Sequence, residues 1–318
     1  MINPGRMILA LQQNIGKAVV GKEEAIEYAL IALLCKGHVL IEDVPGVGKT
    51  TLASALARSL DCSFRRIQFT PDLMPSDVTG FTLVNFKTGE MEYKEGAVMS
   101  QIVLADEINR TSPKTQSALL EVMEEHQVTV DGITHQLPQP FIVLATQNPG
   151  EFVGTYPLPE AQVDRFMLKV LIDYPQIEEE KRIVRLNISG QKQEIKPVLK
   201  ANDILEARSV VHQVYLDEKI EQYIADLVFA TRYPEKYNLG DIKDYIEFGG
   251  SPRASINLAL AARAYAFIKH RGYVIPEDVR AVAHDVLRHR LGLTYEAEAN
   301  NVTTEEIISQ IINKVEVP

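Results

Sequence analysis

The sequence predicts an α/β fold, a parallel sheet covered by helices on both faces, followed by an all-α region. Three observations carry this. The short unbroken apolar runs at 39–41, 102–105 and 141–145 have the composition of strands buried on both sides. Stretches with helical apolar spacing lie between them, as parallel crossovers require. From residue 203 onward the periodicity is helical throughout.

Taken in order, residues 4–18 carry Ile8, Leu11 and Ile15 at helical spacing, and residues 22–35 repeat it with Ile26, Ala29, Leu30 and Leu33. The first strand then breaks into Asp43-Val44-Pro45-Gly46-Val47-Gly48-Lys49-Thr50-Thr51. A helix follows with Leu52, Ala53, Leu56 and Leu60 on one face, then a strand at 64–69. Two prolines punctuate 70–77, which reads as loop with at most one helical turn. Residues 80–98 read as a β-hairpin turning near Gly89, and 128–134 as a second hairpin with Asp131-Gly132 as its turn. A helix over 113–125 starts on Pro113, a favoured first position. A short helix at 160–164, a strand at 167–172 and a helix at 177–186 complete the first region. The later helices are expected at 203–214, 217–232, 252–271 and 276–289, with 233–251 as loop. This gives a core domain over 1–187, a polar linker over 188–202 and a helical domain over 203–318.

Composition narrows the functional classes. The 318 residues are 46% hydrophobic, enough for a sizeable core. No apolar run is long enough to span a membrane, and the N-terminus lacks the form of a secretory signal, so a cytoplasmic location is expected. The two cysteines, Cys35 and Cys62, sit in apolar stretches and are expected as buried free thiols. The net charge of −10 argues against a general nucleic-acid-binding surface. His126, His135, His284 and His289 have no compact metal-ligand spacing.

The chemistry concentrates at strand ends. Strand, Gly-rich turn, Gly48-Lys49-Thr50 and helix form a phosphate-cradling loop. Glycines let backbone N–H groups curl around an anion, and the helix N-terminus aims its unpaired donors at it. Lys49 suits the β/γ-phosphates, and the Thr50 hydroxyl suits Mg²⁺. The first position of the general pattern is Asp43 rather than Gly. Asp106 ends a buried strand where a Mg²⁺-holding carboxylate belongs, and Glu107 beside it suits a general base for water. Asn148 ends the neighbouring strand; its amide could hold a water or a phosphate oxygen, although an Asn-Pro turn also explains it.

Gly46-Val47-Gly48-Lys49-Thr50, 106–110 (Asp-Glu-Ile-Asn-Arg), 145–149 (Ala-Thr-Gln-Asn-Pro), 157–166 (Pro-Leu-Pro-Glu-Ala-Gln-Val-Asp-Arg-Phe) and 250–253 (Gly-Ser-Pro-Arg) together resemble a MoxR-type AAA+ ATPase. The resemblance covers nearly the whole chain, and Asp43 fits the loop of that family. It implies a P-loop core with a five-stranded parallel sheet, helices on both faces and hairpin insertions, then an all-α lid. It implies ATP and Mg²⁺ as cofactors, with Val20 and Gly21 near the adenine and Pro45 to Thr51 around the phosphates. Thr50 and Asp106 would serve the metal, Glu107 the water, and Asn148 would be the first sensor. Arg165 would be an arginine finger given to a neighbouring subunit, and Arg253 the second sensor in the lid.

The implied function is hydrolysis of ATP by an oligomeric ring, a hexamer, that remodels, matures or activates partner protein complexes. Those partners include von Willebrand A-type proteins in this family. A DNA translocase and a nucleotide-dependent switch without turnover are the alternatives. The hairpins carry few basic residues, Lys87 and Lys94 in the first and none in 128–134, which disfavours phosphate tracking.

Overall fold

The computed structural model describes residues 4–43, 48–148, 154–188 and 194–318, and the side chains of all of these except 4–6, 43 and 187. Helices α1 (Pro4–Gly16) and α2 (Glu23–Leu34) precede β1 (Val39–Asp43). Then come α3 (Lys49–Ser59), β2 (Phe64–Gln68) and the single turn α4 (Pro75–Thr79). A hairpin of β3 (Gly80–Val84) and β4 (Met91–Glu95) is followed by β5 (Ile102–Asp106) and α5 (Pro113–Glu125). A second hairpin, β6 (Gln127–Val130) and β7 (Ile133–Gln136), leads to β8 (Ile142–Gln147), α6 (Glu160–Val163), β9 (Leu168–Ile172) and α7 (Ile177–Ile188).

Five strands form one parallel sheet in the order β2-β5-β8-β1-β9, with helices around it, as the sequence predicts. Val39 pairs with Leu144, Leu104 with Leu144, and Gln68 with Asp106, so β2, β5, β8 and β1 run in register. Every residue of β5 is buried, which explains its unbroken apolar run. Phe69, Phe141 and Phe166 fill one side of the sheet together with Leu119, Leu120 and Met123 of α5. The edge strand β2 exposes Arg65, Arg66 and Gln68, charge and polarity that discourage pairing with another edge.

Local chemistry sets the element ends. Ser112 Oγ accepts from Thr115 N at 3.4 Å ahead of Pro113, and α5 stops where His126 turns left-handed at φ 53°. The second hairpin turns on Asp131 (φ 49°) and Gly132 (φ 80°), the paired positive angles of a tight two-residue turn. The two hairpins meet where the Tyr93 and His135 rings stack, centroids 3.8 Å apart and 15° from coplanar. The first hairpin carries apolar side chains on its surface, among them Phe81, Leu83, Met91 and a Phe86 that is 99% exposed.

The chain divides into two compact units, Met1–Phe166 with Val170–Glu206, and Met167–Lys169 with Ala207–Pro318. In the first unit, residues 196–199 lie against α1 and α3. Asn14 Nδ2 donates to Ser59 Oγ and to the Lys196 carbonyl, both at 2.9 Å, and the Val198 and Leu199 amides reach the Ser59 carbonyl.

From residue 201 the described elements are α8 (Ala201–His212), α9 (Glu218–Arg232), β10 (Ile246–Phe248), α10 (Pro252–Ile268), α11 (Pro276–Leu287), β11 (Gly292–Leu293), α12 (Tyr295–Ala299) and α13 (Thr304–Lys314). The second unit holds most of them, and its buried centre includes Leu227, Leu258, Val282 and Ile308. The stretch expected as loop, 233–251, instead holds two 3₁₀ turns and β10, which pairs with β11. Segments this short have no apolar period to read. The last helix, α13, was not among the expected elements. A capping box marks its start: the Glu306 amide donates to Thr303 Oγ1 at 3.2 Å, and Glu306 Oε2 accepts from the Thr303 amide at 2.8 Å.

The cysteines are free but only partly buried, rather than buried outright. Burial and the neighbouring Asp61 push the Cys62 thiol up to about 11, so it stays protonated and unreactive at neutral pH.

Candidate nucleotide site

The site is built from strand ends on one side of the sheet. β1 runs into residues 44–47, so Pro45, Gly46 and Val47 lie outside the described residues. Gly48 follows at φ +91° and caps α3. A Cβ there would meet nothing within 4 Å, so the need for glycine is conformational and not steric. Lys49, Thr50 and Thr51 form the first turn of α3, where amides have no intrahelical acceptor and the helix dipole favours an anion.

Asp106 is 6% exposed at the end of β5, and both its carboxylate oxygens are engaged. Oδ1 accepts from Thr146 Oγ1 at 2.8 Å and lies 3.7 Å from Lys49 Nζ. Oδ2 accepts from Arg66 through Nε at 3.1 Å and also through Nη2. Burial by itself would raise the Asp106 pKa. The bonds from Thr146 and Arg66 and the charges of Lys49 and Arg66 outweigh it, so the carboxyl is held below its usual range and stays ionised.

Glu107 stands in the left-handed region, φ 58° and ψ 51°, an uncommon place for a side chain of its length. Its amide donates to Thr146 Oγ1 at 2.9 Å, so one threonine hydroxyl positions both acids. Its carboxylate accepts from Gln68 Nε2 at 2.9 Å and pairs with Arg110 Nε at 3.2 Å. Asn148 lies two residues beyond Thr146, and Asn109 Nδ2 reaches its carbonyl at 3.5 Å. Lys49, Asp106 and Glu107 are thus brought together around Thr146.

The remaining residues singled out from sequence have contacts of their own. Val20 is buried, and Gly21 packs against Glu179 of α7, where a Cβ would come within 2.1 Å of the Glu179 carboxyl carbon. Arg165 pairs with Glu124 of α5 at 3.2 Å. Arg253 is exposed in the second unit, in the first turn of α10, and its amide donates to Ser251 Oγ at 3.1 Å.

Sequence reasoning missed Arg66 and Gln68, and gave no role to Arg110 and Thr146 although both stand in the quoted motifs. A partial signal existed: polar residues alternate with Ile67 along β2, and Gln68 pairs in register with Asp106. Nothing in the sequence says that these side chains reach the acids.

The donor set fits Mg²⁺. Asp106 supplies one ionised oxygen-only ligand, and Thr50 adds a hydroxyl at a helix start. Mg²⁺ keeps several waters and takes one or two protein oxygens beside substrate phosphates. Among the described residues no group of three or more His, Cys, Asp or Glu forms a denser metal cage.

Residues 38–168 match the family described as ATPase family associated with various cellular activities (AAA), and residues 240–311 match the AAA lid domain. The chain is 50% identical to uncharacterized protein YeaC of Bacillus subtilis (strain 168), over 96% of this chain and 93% of that protein. It is 44% identical to Chaperone MoxR1 of Mycobacterium tuberculosis (strain ATCC 25618 / H37Rv), over 96% of this chain and 81% of the relative. A crystal structure of a candidate ATPase from Cytophaga hutchinsonii ATCC 33406 superimposes with a TM-score of 0.93 at 46% identity, covering 99% of this chain and 96% of that one. On these family matches and relatives, the chain belongs to the MoxR-type family of AAA+ ATPases.

Proposed function

We propose that this chain hydrolyses ATP as an oligomeric ring, a hexamer, and uses the cycle to remodel, mature or activate partner protein complexes. One observation carries the hydrolytic part: Asp106 and Glu107 stand side by side at a strand end, oriented by one hydroxyl, with Lys49 3.7 Å from the first. That arrangement separates the two tasks of nucleotide hydrolysis. Asp106, held ionised, serves as the metal ligand together with Thr50. Glu107 accepts a proton from water once its carboxylate is turned from Gln68 and Arg110. Bound Mg²⁺ would neutralise charge on the β- and γ-phosphate oxygens. Lys49 and the amides of Gly48 to Thr51 hold the phosphates, Val20 and Gly21 flank the adenine, and Asn148 orients the water. Arg253 serves as second sensor in the lid, and Arg165 completes a neighbouring subunit's site.

The protein-remodelling part is supported by the name of the mycobacterial relative, a chaperone, and by the exposed apolar side chains of the first hairpin. Client surfaces that expose apolar residues on partial opening suit such a hairpin. The DNA-translocase alternative would need more basic side chains there than Lys87 and Lys94, and Phe81, Phe86 and Met91 stand at the surface beside them. A von Willebrand A-type partner remains part of the proposal on family grounds. No helix among the described residues is long and apolar enough to cross a membrane.

The test is a pair of measurements. Turnover of ATP should rise more than linearly with protein concentration and vanish in Glu107→Gln, which should still bind ATP. The same variant, held in ATP, should retain client proteins from the source cell that elute when ATP is replaced by ADP. Full ATP binding with no turnover in the unaltered protein would support the switch alternative; salt-sensitive DNA binding would support the translocase.

A further inference from the structure

Arg66 has no role in the proposed chemistry, yet its guanidinium makes the closest approach to Asp106 of any cation described. Two of its nitrogens bond Oδ2, while Lys49 stands 3.7 Å from Oδ1. The pair is asymmetric in exposure: the Asp106 side chain is 8% exposed and that of Arg66 47%. Oδ2 is therefore covered by a half-exposed, positively charged side chain that the chain itself supplies. Register explains the reach. Gln68 is the cross-strand partner of Asp106, and Arg66 lies two residues back on the same strand. Its long side chain runs forward along the edge strand to the carboxylate.

We propose that Arg66 is a competing cation at the metal-binding carboxylate, and that it must leave Oδ2 before Asp106 can serve a divalent ion. The inference rests on the reading of Asp106 as the Mg²⁺ ligand. Its physical basis is charge and lone-pair accounting. Oδ1 is already shared by the Thr146 hydroxyl and the Lys49 charge, so Oδ2 is the oxygen with a displaceable partner. A guanidinium stays charged at every accessible pH, so only displacement relieves the competition. The released arginine is not left without a bond. Its Nη2 also donates to Gln68 Oε1 at 2.8 Å, and Gln68 Nε2 in turn holds Glu107. Metal entry at one acid is thereby linked to the partner of the other.

The test is the Mg²⁺ requirement for nucleotide binding, read from fluorescence of a labelled ATP at fixed concentration in the full chain. Arg66→Gln keeps a polar side chain and removes the charge. It should lower the half-saturating Mg²⁺ by about fivefold, the equivalent of about 1 kcal/mol for a half-exposed ion pair. Binding in EDTA should stay within about twofold of the unaltered protein on the same scale. Arg66→Lys keeps the charge but loses the two-pronged bond and should shift in the same direction by about twofold; it carries the test if Arg66→Gln does not fold. An unchanged or raised Mg²⁺ requirement in both variants overturns the proposal, a rise meaning that Arg66 assists the bound nucleotide. Asp106→Asn separates the two claims. If it loses the Mg²⁺ dependence while the Arg66 variants match the unaltered protein, the competition alone fails. If it keeps that dependence, the assignment of Asp106 fails as well.

Discussion

Gln68 Nε2 donates to Glu107 Oε2 at 2.9 Å, and Arg110 Nε pairs with the same oxygen at 3.2 Å. A carboxylate so engaged is a poor acceptor for a water proton, because one of its two oxygens is already occupied by donors. Freeing that oxygen is a step of its own. Gln68→Leu removes one donor without adding charge. It should raise basal ATP turnover about two- to fivefold, the effect expected of one hydrogen bond to a charged group on an exposed edge, and leave nucleotide affinity unchanged. Glu107→Gln should cost about 10²–10⁴ in rate. Steady-state phosphate release together with equilibrium nucleotide binding checks both; a fall in turnover in Gln68→Leu would mean that Gln68 positions Glu107 for catalysis.

Arg165 pairs with Glu124 of its own chain, on α5. If it acts on a neighbour's nucleotide, Arg165→Ala should reduce turnover by about 10³–10⁵ and leave ATP binding intact. Mixed with Glu107→Gln protein, it should regain activity at interfaces where an intact Glu107 meets an intact Arg165. A mixing series with no recovery at any ratio would count against action in trans.

The sheet was legible because burial on both faces forces unbroken apolar runs, as at 102–105 and 142–145. The phosphate loop and the acid pair could be proposed from the sequence because their chemistry needs particular residues next to one another in the chain. The part played by Thr146, inside the 145–149 motif, was not legible, because it acts on Asp106 across the sheet. The sequence reading assigned Arg66 and Gln68 no part, and the parallel register and their bonds are what bring them to the acids. The elements of 233–251 were too short for periodicity to reach, whereas the Thr303–Glu306 capping box of α13 was a readable signal passed over.

Gly21 adopts φ +68°, and a Cβ added there would overlap the carboxylate of Glu179, whose Oε2 accepts from the Gln176 amide at 2.8 Å ahead of α7. Gly21→Ala therefore faces two costs, a left-handed backbone and the loss of that bond. The variant should lose about 1–2 kcal/mol of stability. If Gly21 flanks the adenine, ATP should also bind more weakly, and Glu179→Ala in the same chain should restore stability in part. Denaturant titration and nucleotide binding check the two effects independently.

The acid tolerance of the second unit should depend on Arg288. Its side chain is 10% exposed and bonds Asp285, Glu305 Oε1 at 2.7 Å and the Lys169 carbonyl at 2.5 Å. His284 Nδ1 meets Glu305 Oε2 at 2.7 Å. Burial would raise the Glu305 pKa, but the bonds and charges of His284 and Arg288 outweigh it and hold the carboxyl down to about 2. A carboxyl depressed by folding adds stability above its unfolded pKa of about 4.5, and that contribution is lost as pH falls from there toward about 2. Arg288→Ala removes the cation and leaves the 8%-exposed Asp285 side chain without this partner. The loss near neutral pH should be roughly 1–3 kcal/mol, discounted because the Glu305 side chain is 39% exposed. The gap between variant and unaltered protein should be full above about pH 4.5 and should narrow below it as Glu305 takes up its proton. Denaturant unfolding of both proteins between pH 7 and pH 3 checks this, and a gap that widens toward acid would mean that Glu305 is not what holds Arg288.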